Sequence, residues 1–125
     1  MNIFWAKAVA ASQAARLLYE HGYPDGAANR AYYAMFRAAR VALASLDGAL
    51  AESKRHQTMI RRFSKHFVRE RGVDPDLGRT LNRAFELRMA ADYEPKGVEI
   101  EDARNSVDAA ETFLRTVENL LGAAK

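Results

Sequence analysis

The fold is decided by the stretch Asn29-Arg30-Ala31-Tyr32-Tyr33-Ala34-Met35-Phe36-Arg37-Ala38-Ala39-Arg40, inside a longer run from Pro24 to Leu46. Apolar residues recur three or four positions apart in this run, as on one face of a helix. They are Ala28, Tyr32, Met35, Ala39, Ala42 and Leu46. The same spacing on a neighbouring face gives a polar stripe of Asn29, Tyr33, Arg37 and Arg40. Because alanines let other helices approach closely, the run predicts the central helix of a compact bundle.

Length and composition favour a single soluble domain. A chain of 125 residues is long enough for one hydrophobic core, so we expect one domain over residues 1–125. Hydrophobic residues make up 49% and charged residues 28%, which argues against disorder. The absence of cysteine excludes disulfides, thiol catalysis and Cys-ligated metals. No apolar run approaches the ~20 residues of a membrane span, so we expect a cytoplasmic protein without a membrane partner.

Helical periodicity and chain breakers predict five helices. Their expected ranges are about 2–20, 24–46, 54–71, 74–92 and 100–121. The first should bury one side made of Phe4, Ala8, Ala11, Ala15 and Leu18, and the last a stripe from Ile100 to Leu121. Gly22 and Gly72 should end helices, Ser53 should cap the third, and Asp74-Pro75 should start the fourth. No stretch alternates with period two, so the prediction is an all-α up-and-down bundle of four main helices plus a shorter one.

The third predicted helix is strongly basic. Between Lys54 and Arg71 there are seven Lys or Arg residues and one acid, Glu70. Such a basic stripe suits partners that carry phosphate. It also fits a solvated helix face that is balanced by acids elsewhere in the chain, and the sequence leaves both interpretations open.

Two further side chains are candidates for chemistry because they fall on or beside apolar helix faces. His56 is either a hydrogen-bonded core residue or a catalyst. Arg88 has Asp92 one turn later, which predicts an intrahelical ion pair or an anion-binding Arg that Asp92 positions. No His-x-x-x-His motif or His/carboxylate cluster occurs, so we expect neither a metal nor another cofactor.

The sequence also resembles the HEPN domain, and within it a branch of small stand-alone prokaryotic proteins. The resemblance lies in the segment Asn29 to Phe36, in Lys54-x-His56, and in Leu87-Arg88…Ala91-Asp92-Tyr93. It implies an all-α bundle of four main helices plus a shorter one, usually dimeric. It also implies a setting beside a minimal nucleotidyltransferase in toxin–antitoxin-like pairs. Many HEPN domains are metal-independent RNases, and others are described as nucleotide-binding.

The RNase members of that family carry an Arg followed a few residues later by a His. Arg88 corresponds to this Arg, but Tyr93 stands where the His would be, and Arg37 stands where relatives often have His. The bare formula does occur at Arg16…His21 and Arg61…His66, in the wrong helices. Because Tyr is a poor base near neutral pH, the sequence favours binding over cleavage.

The first functional hypothesis is a nucleotide- or RNA-binding homodimer that partners a minimal nucleotidyltransferase. In it, Arg88 and Lys54 hold phosphate, and Asp92 orients Arg88. The groove is lined by Asn29, Tyr33 and Arg37. The homodimer follows from the family and from the central helix, which offers more small and aromatic surface than a monomer of this size needs.

The alternative hypothesis is a metal-independent endoribonuclease toxin. Its catalytic residues would be Arg88, Tyr93 and, if the third and fourth helices meet, His56. A third and weaker hypothesis is a structural or DNA-associated helical protein.

Overall fold

The computed structural model describes residues 2–123, which fold into five α-helices without a β-strand in that range. The helices are α1 (Ile3–Glu20), α2 (Pro24–Leu46), α3 (His56–Phe63), α4 (Pro75–Tyr93) and α5 (Ile100–Ala123). The predicted all-α bundle of four main helices plus a shorter one is therefore confirmed.

The helix α2 lies at the centre of the bundle and packs against α1, α4 and α5. Twelve of its residues are buried. The contact with α1 is made largely by small side chains, such as Ala8 and Ala15 of α1 and Ala31 of α2, all fully buried. Small residues allow two helix backbones to approach closely, so the alanine-rich run has the role that its spacing predicts.

This burial removes one argument for a homodimer. The sequence argument assigned surplus apolar surface to the central helix, but α2 uses that surface inside its own chain. The large apolar side chains that stay exposed include Ile3, Phe4 and Leu17 of α1. The homodimer stays a prediction that rests on the family.

The predicted apolar faces are wrong at three positions. Phe4 is 59% exposed, whereas the neighbouring Trp5 is 5% exposed and shares the buried face of α1 with Ala8 and Ala15. Leu46 and Ile100 are 37% and 48% exposed because they lie at helix termini, where the bundle no longer covers them. Near a helix end, two adjacent aromatics leave the phase of the buried face ambiguous.

The third helix is shorter than predicted. It begins at His56, after a 3₁₀ turn over Gly48–Ala51, and continues from Ser64 to Arg69 as a π-helix. Ser53 does not cap it, since its Oγ accepts from the Arg55 N–H at 3.1 Å and closes a turn before the helix. The wider π turn is accompanied by burial of both Phe63 and Phe67, whose rings stack with centroids 5.1 Å apart.

A glycine on α4 allows the π-helix to approach closely. A Cβ at Gly78 would lie 2.8 Å from the Ser64 Oγ, so a larger side chain there would require the Ser64 hydroxyl to move. The start of α4 is as predicted, with Asp74 as the N-cap and Pro75 as the first helical residue. Gly78 thereby helps to set the position of α4 beside α3.

Candidate functional site

Successive turns of α2 carry the polar stripe between its buried faces. Asn29, Tyr33, Arg37 and Arg40 are all half-buried. The Arg37 guanidinium lies over the Tyr33 ring, 5.6 Å from its centroid, and that of Arg40 lies 5.3 Å from the centroid of Phe36. Aromatic faces attract cations, so these contacts hold both guanidinium groups on the surface of α2.

The imidazole of His56 packs onto this helix from the start of α3. Its ring stacks on Phe36, with centroids 4.4 Å apart and an interplanar angle of 13°. Its Nδ1 atom lies 2.6 Å from the hydroxyl of Tyr32, a fully buried side chain. One edge of His56 is thus hydrogen-bonded in the core, as the first interpretation of this residue expected.

Arg88 reaches the same aromatic group from α4. Its Nη2 donates to the Tyr33 hydroxyl at 3.2 Å, and its guanidinium lies over the rings of Tyr33 and Tyr32, at 5.4 and 6.0 Å. The Nε atom lies 3.0 Å from the Asp92 Oδ2, an ion pair in which the N–H is not directed at the oxygen. Asn29 donates weakly to both Asp92 oxygens, at 3.3 and 3.4 Å. The intrahelical Arg88–Asp92 pair predicted from spacing is present.

A cavity of about 710 Å³ opens between α2 and the segment that precedes α3. It is lined by Tyr33, Phe36, Arg37, Arg40, Ala51, Glu52, Ser53, Lys54 and His56. Three of these side chains are cationic, and Glu52 is the only carboxylate among them. The Nη2 of Arg40 donates to the Ser53 carbonyl at 2.6 Å, which ties this segment to α2. A cavity with an aromatic wall and an excess of cations suits an anion attached to a flat ring.

Tyr33 joins two groups of predicted site residues. One group lines the cavity and consists of Arg37, Lys54 and His56. The other surrounds the ion pair on α4 and consists of Asn29, Arg88 and Asp92. Seven of the eight predicted side chains, Tyr33 included, therefore belong to one continuous surface.

Tyr93 is the eighth, and the structure does not bring it to this surface. It is the last residue of α4 and is 70% exposed. It makes no side-chain hydrogen bond within residues 2–123 and does not contact Arg88 or His56 through its ring. A tyrosine that is so open to water is not held in place for catalysis by neighbouring side chains.

The surroundings of His56 and Tyr32 favour the neutral form of both side chains. Burial lowers the pKa of His56, and the positive charges of Arg88 and Arg40 lower it further. Burial also raises the pKa of the Tyr32 hydroxyl, and this effect outweighs the opposite effects of Arg88 and Arg40. Both side chains are therefore neutral near pH 7.

The basic stripe extends from this cavity along α3 and the π-helix that follows it. Five of its side chains are exposed and make no ion pair with any residue in 2–123. They are Lys54, Arg55, Arg61, Lys65 and Arg69. The other two are occupied, since Arg62 donates to the Leu50 carbonyl and Arg71 to the His66 carbonyl. Most of the stripe is thus not balanced by acids among the described residues, which favours the interpretation as a surface for phosphates.

The two accidental Arg…His matches have structural explanations. Arg16 of α1 bridges to Asp108 and Glu111 of α5, each at 2.6 Å, and His21 lies 2.8 Å from a carbonyl of its own helix. His66 pairs with Glu70 at 2.9 Å. Neither match places its Arg and His in the surface around Tyr33.

Sequence reasoning missed two members of the site. Tyr32 was assigned to the apolar stripe, although a buried tyrosine hydroxyl needs a partner and His56 supplies it. Arg40 was placed on the polar stripe but not in the binding set, because its contact with the Ser53 carbonyl depends on the path of the loop. The signal available in the sequence was Tyr32 itself, a tyrosine predicted to be buried beside a polar stripe and therefore in need of a hydrogen-bond partner.

Neither a metal-binding cluster nor a helix able to span a membrane is found among the described residues. In residues 2–123, no three His, Asp or Glu side chains come close enough together to hold a metal ion. None of the helices within those residues combines the length and apolar composition that crossing a membrane requires.

Comparison with known proteins places this bundle in a family. The HEPN domain profile matches residues 1–120. A protein of Methanocaldococcus jannaschii that is named a putative toxin is 31% identical over 108 residues, which cover 86% of this chain and 78% of that protein. A UPF0332 protein of Thermotoga maritima is 35% identical over 108 residues, which cover 86% of this chain and 80% of its own. The resemblance seen in the sequence is thus confirmed, and the chain belongs to the HEPN domain family.

Proposed function

We propose that this chain is a toxin-like HEPN protein that binds nucleotide or RNA phosphates in the cavity beside α2. The observation that carries the proposal is the convergence of Arg37, Arg40 and Lys54 around a cavity with the aromatic wall of Tyr33 and Phe36. Guanidinium and ammonium groups bind phosphate oxygens, and an aromatic face accepts a stacked base. The cavity volume of about 710 Å³ lies in the range of small-molecule sites.

Arg88 does not line this cavity, but it contacts Tyr33, which does. Its side chain is 18% exposed, and its contacts with Tyr33 and Asp92 hold the guanidinium in one place. A positioned guanidinium loses less conformational entropy when it binds an anion than a free surface arginine does. In the proposal, Arg88 and Lys54 bind phosphate from two sides of Tyr33. The exposed cations of α3 and the π-helix then continue the path for a longer RNA strand.

The biological setting of the proposal comes from the family. Relatives that are named as putative toxins support a toxin–antitoxin-like role for this chain. A homodimer and a minimal nucleotidyltransferase as the partner complete the proposal, and both rest on the family resemblance alone.

The test distinguishes binding in the cavity from binding along the basic stripe. We expect AMP and a short single-stranded RNA to bind the purified protein at low salt, measured by calorimetry or fluorescence anisotropy. Replacing Arg61, Lys65 and Arg69 together by Ala should weaken RNA binding but leave AMP affinity unchanged, because a mononucleotide does not reach along α3. The slope of log affinity against log salt for RNA should fall by about 0.7 for each phosphate contact removed.

The matched control removes the same charge elsewhere. The control replaces three exposed residues on α4 and α5 that do not line the cavity, Arg79, Arg104 and Arg115. Their replacement by Ala should leave the slope of log affinity against log salt unchanged for both RNA and AMP. Equal losses of RNA affinity in both triple variants would show that binding follows net charge alone. Failure of the wild-type protein to bind either probe at low salt would contradict the proposed function.

A second candidate function is metal-independent RNA cleavage, which one observation favours. The bundle brings His56 of α3 and Arg88 of α4 to the same pair of tyrosine rings, as the enzyme hypothesis required. A neutral imidazole and a guanidinium at one site are the groups that RNA cleavage without a metal needs. Against it, one edge of His56 is already occupied by Tyr32.

We expect the protein to cleave RNA slowly or not at all. The measurement is incubation of the wild-type protein with mixed RNA in EDTA, beside the variants Arg88→Ala, His56→Ala and Tyr93→Phe. Cleavage that resists EDTA and disappears in Arg88→Ala would make the protein an RNase and overturn the preference for binding. Loss of that cleavage in Tyr93→Phe would also restore a catalytic role to this exposed residue.

A further inference from the structure

We propose that Tyr32 is a positioning residue that holds His56 as the neutral tautomer with its proton on Nε2. In this state His56 is a hydrogen-bond donor to a phosphate oxygen in the cavity. The ligand in this inference rests on the proposed function, whereas the tautomer rests only on contacts inside the chain.

The tautomer follows from the hydrogen-bonding needs of a buried hydroxyl. Tyr32 is fully buried, and within residues 2–123 its hydroxyl has one hydrogen-bond partner, the His56 Nδ1 at 2.6 Å. If Nδ1 carried the proton, it would donate to Tyr32 and leave the hydroxyl hydrogen without an acceptor in the core. An unpaired donor buried in the core is destabilising. The favoured arrangement is therefore donation from Tyr32 to Nδ1, which places the proton of the neutral ring on Nε2.

The other edge of the ring is available to a ligand. His56 lines the cavity together with Arg37, Arg40 and Lys54. Its Nε2 makes no hydrogen bond with the described residues and is not among their fully buried unpaired atoms. Stacking on Phe36 fixes the plane of the ring, so the Nε2–H has a defined direction. A donor fixed in this way contributes to anion binding without first being reoriented.

The surroundings of His56 keep its ring in the neutral form. The groups that face it are Tyr32, Tyr33 and Arg40 of α2, Arg88 of α4, and Glu52 and Lys54 of the cavity rim. Because burial and the two arginines lower its pKa, His56 is less protonated than a free imidazole at the same pH. An Nε2 that already carries a proton cannot accept one from an RNA hydroxyl. The same geometry that makes His56 a ligand for phosphate therefore makes it a poor general base.

The first test needs no ligand. Long-range proton–nitrogen NMR spectra of the ¹⁵N-histidine-labelled full chain distinguish protonated from unprotonated ring nitrogens, and His56→Gln assigns the signal. We expect a protonated Nε2 and an unprotonated Nδ1 that persist as the pH is lowered from about 8 to about 6.5. A proton on Nδ1 in the wild-type protein would overturn the proposal, whatever the protein binds.

The variant test asks whether Tyr32 determines the tautomer of His56. Tyr32→Phe should let the neutral ring populate both tautomers, whereas Tyr33→Phe, which removes a neighbouring hydroxyl bonded to Arg88, should leave the tautomer unchanged. A wild-type tautomer ratio in folded Tyr32→Phe would contradict the assigned role of Tyr32. If Tyr32→Phe does not fold, the wild-type spectrum and the two His56 variants below still decide the proposal.

The ligand test uses inorganic phosphate and AMP. His56→Gln places an amide nitrogen near the position of Nε2 and should bind both probes within about threefold of the wild-type affinity. His56→Asn places its amide near Nδ1 and should bind roughly tenfold or more weakly, which is the size expected for one lost hydrogen bond to a charged group. Equal affinities of the two variants would overturn the Nε2–H contact. Failure of the wild-type protein to bind phosphate would overturn the proposed function and this ligand, while the tautomer seen by NMR and its response to Tyr32→Phe decide the role of Tyr32.

Discussion

Replacing Phe63 by Ala should lower the free energy of unfolding by about 3–5 kcal/mol, the range found for deletion of a buried aromatic ring. Phe63 is fully buried, and its ring lies 5.1 Å from that of Phe67 and 5.4 Å from that of Phe113 on α5. Because domains of this size are stable by only about 5–15 kcal/mol, the loss is a large part of the total. Urea or thermal denaturation followed by circular dichroism measures it.

The effect should extend to the site. The helix α3 has only eight residues, so its position depends on its few buried side chains, Met59, Ile60 and Phe63. His56 is the first residue of that helix, and we expect Phe63→Ala to weaken AMP binding even under conditions where the variant is folded. The matched control is Phe4→Ala, whose ring is 59% exposed. Its effect on stability should stay within about 0.5 kcal/mol, and a loss as large as that of Phe63→Ala would contradict the burial described here.

The long helices could be predicted because their signals are local. The spacing of alanines and aromatics in α2, the glycines after α1 and after the π-helix, and Asp74-Pro75 before α4 each act within one or two helical turns. The phase at Phe4 and Trp5 could not be read in this way, since either ring fits the period and the choice depends on where α2 and α5 lie. The π-helix after Phe63 was also hidden, because it depends on the packing of Phe67 and on the approach of Gly78 from α4.

The contacts of the site also divide into local ones, which the sequence predicted, and long-range ones, which it missed. Arg88 and Asp92 are four residues apart on one helix, so their pairing follows from helix geometry. The contacts between Tyr32 and His56 and between Tyr33 and Arg88 join residues 24 and 55 positions apart. Such contacts require the bundle to be assembled, and no local pattern encodes them. The sequence therefore identified most of the side chains that meet around Tyr33, and the tertiary fold determined which of them are in contact.

Replacing Arg88 by Ala should weaken binding of AMP by about 1.5–3 kcal/mol, the value of a hydrogen bond to a charged group. That loss corresponds to roughly 10- to 150-fold in affinity. The size follows from the position of the guanidinium, which Tyr33 and Asp92 hold in place on a side chain that is 18% exposed. Arg69→Ala is the control, because Arg69 is an exposed cation of the stripe outside the cavity. Equal losses in the two variants, measured by calorimetry, would contradict a specific role of Arg88.

Asp92 gives the sharper test, because two roles for it predict opposite signs. If Asp92 only neutralises Arg88, then Asp92→Asn removes a negative charge beside the phosphate and should raise affinity. If Asp92 positions Arg88, the same change releases the guanidinium and should lower affinity despite the gain in positive charge. We expect the second result, since Asp92 lies 3.0 Å from the Arg88 Nε and is itself contacted by Asn29. In the Arg88→Ala background Asp92→Asn should then raise affinity, because only the removal of repulsion is left. A rise in both backgrounds would show that the pair is only an ion pair of α4, and that Asp92 opposes binding rather than organising it.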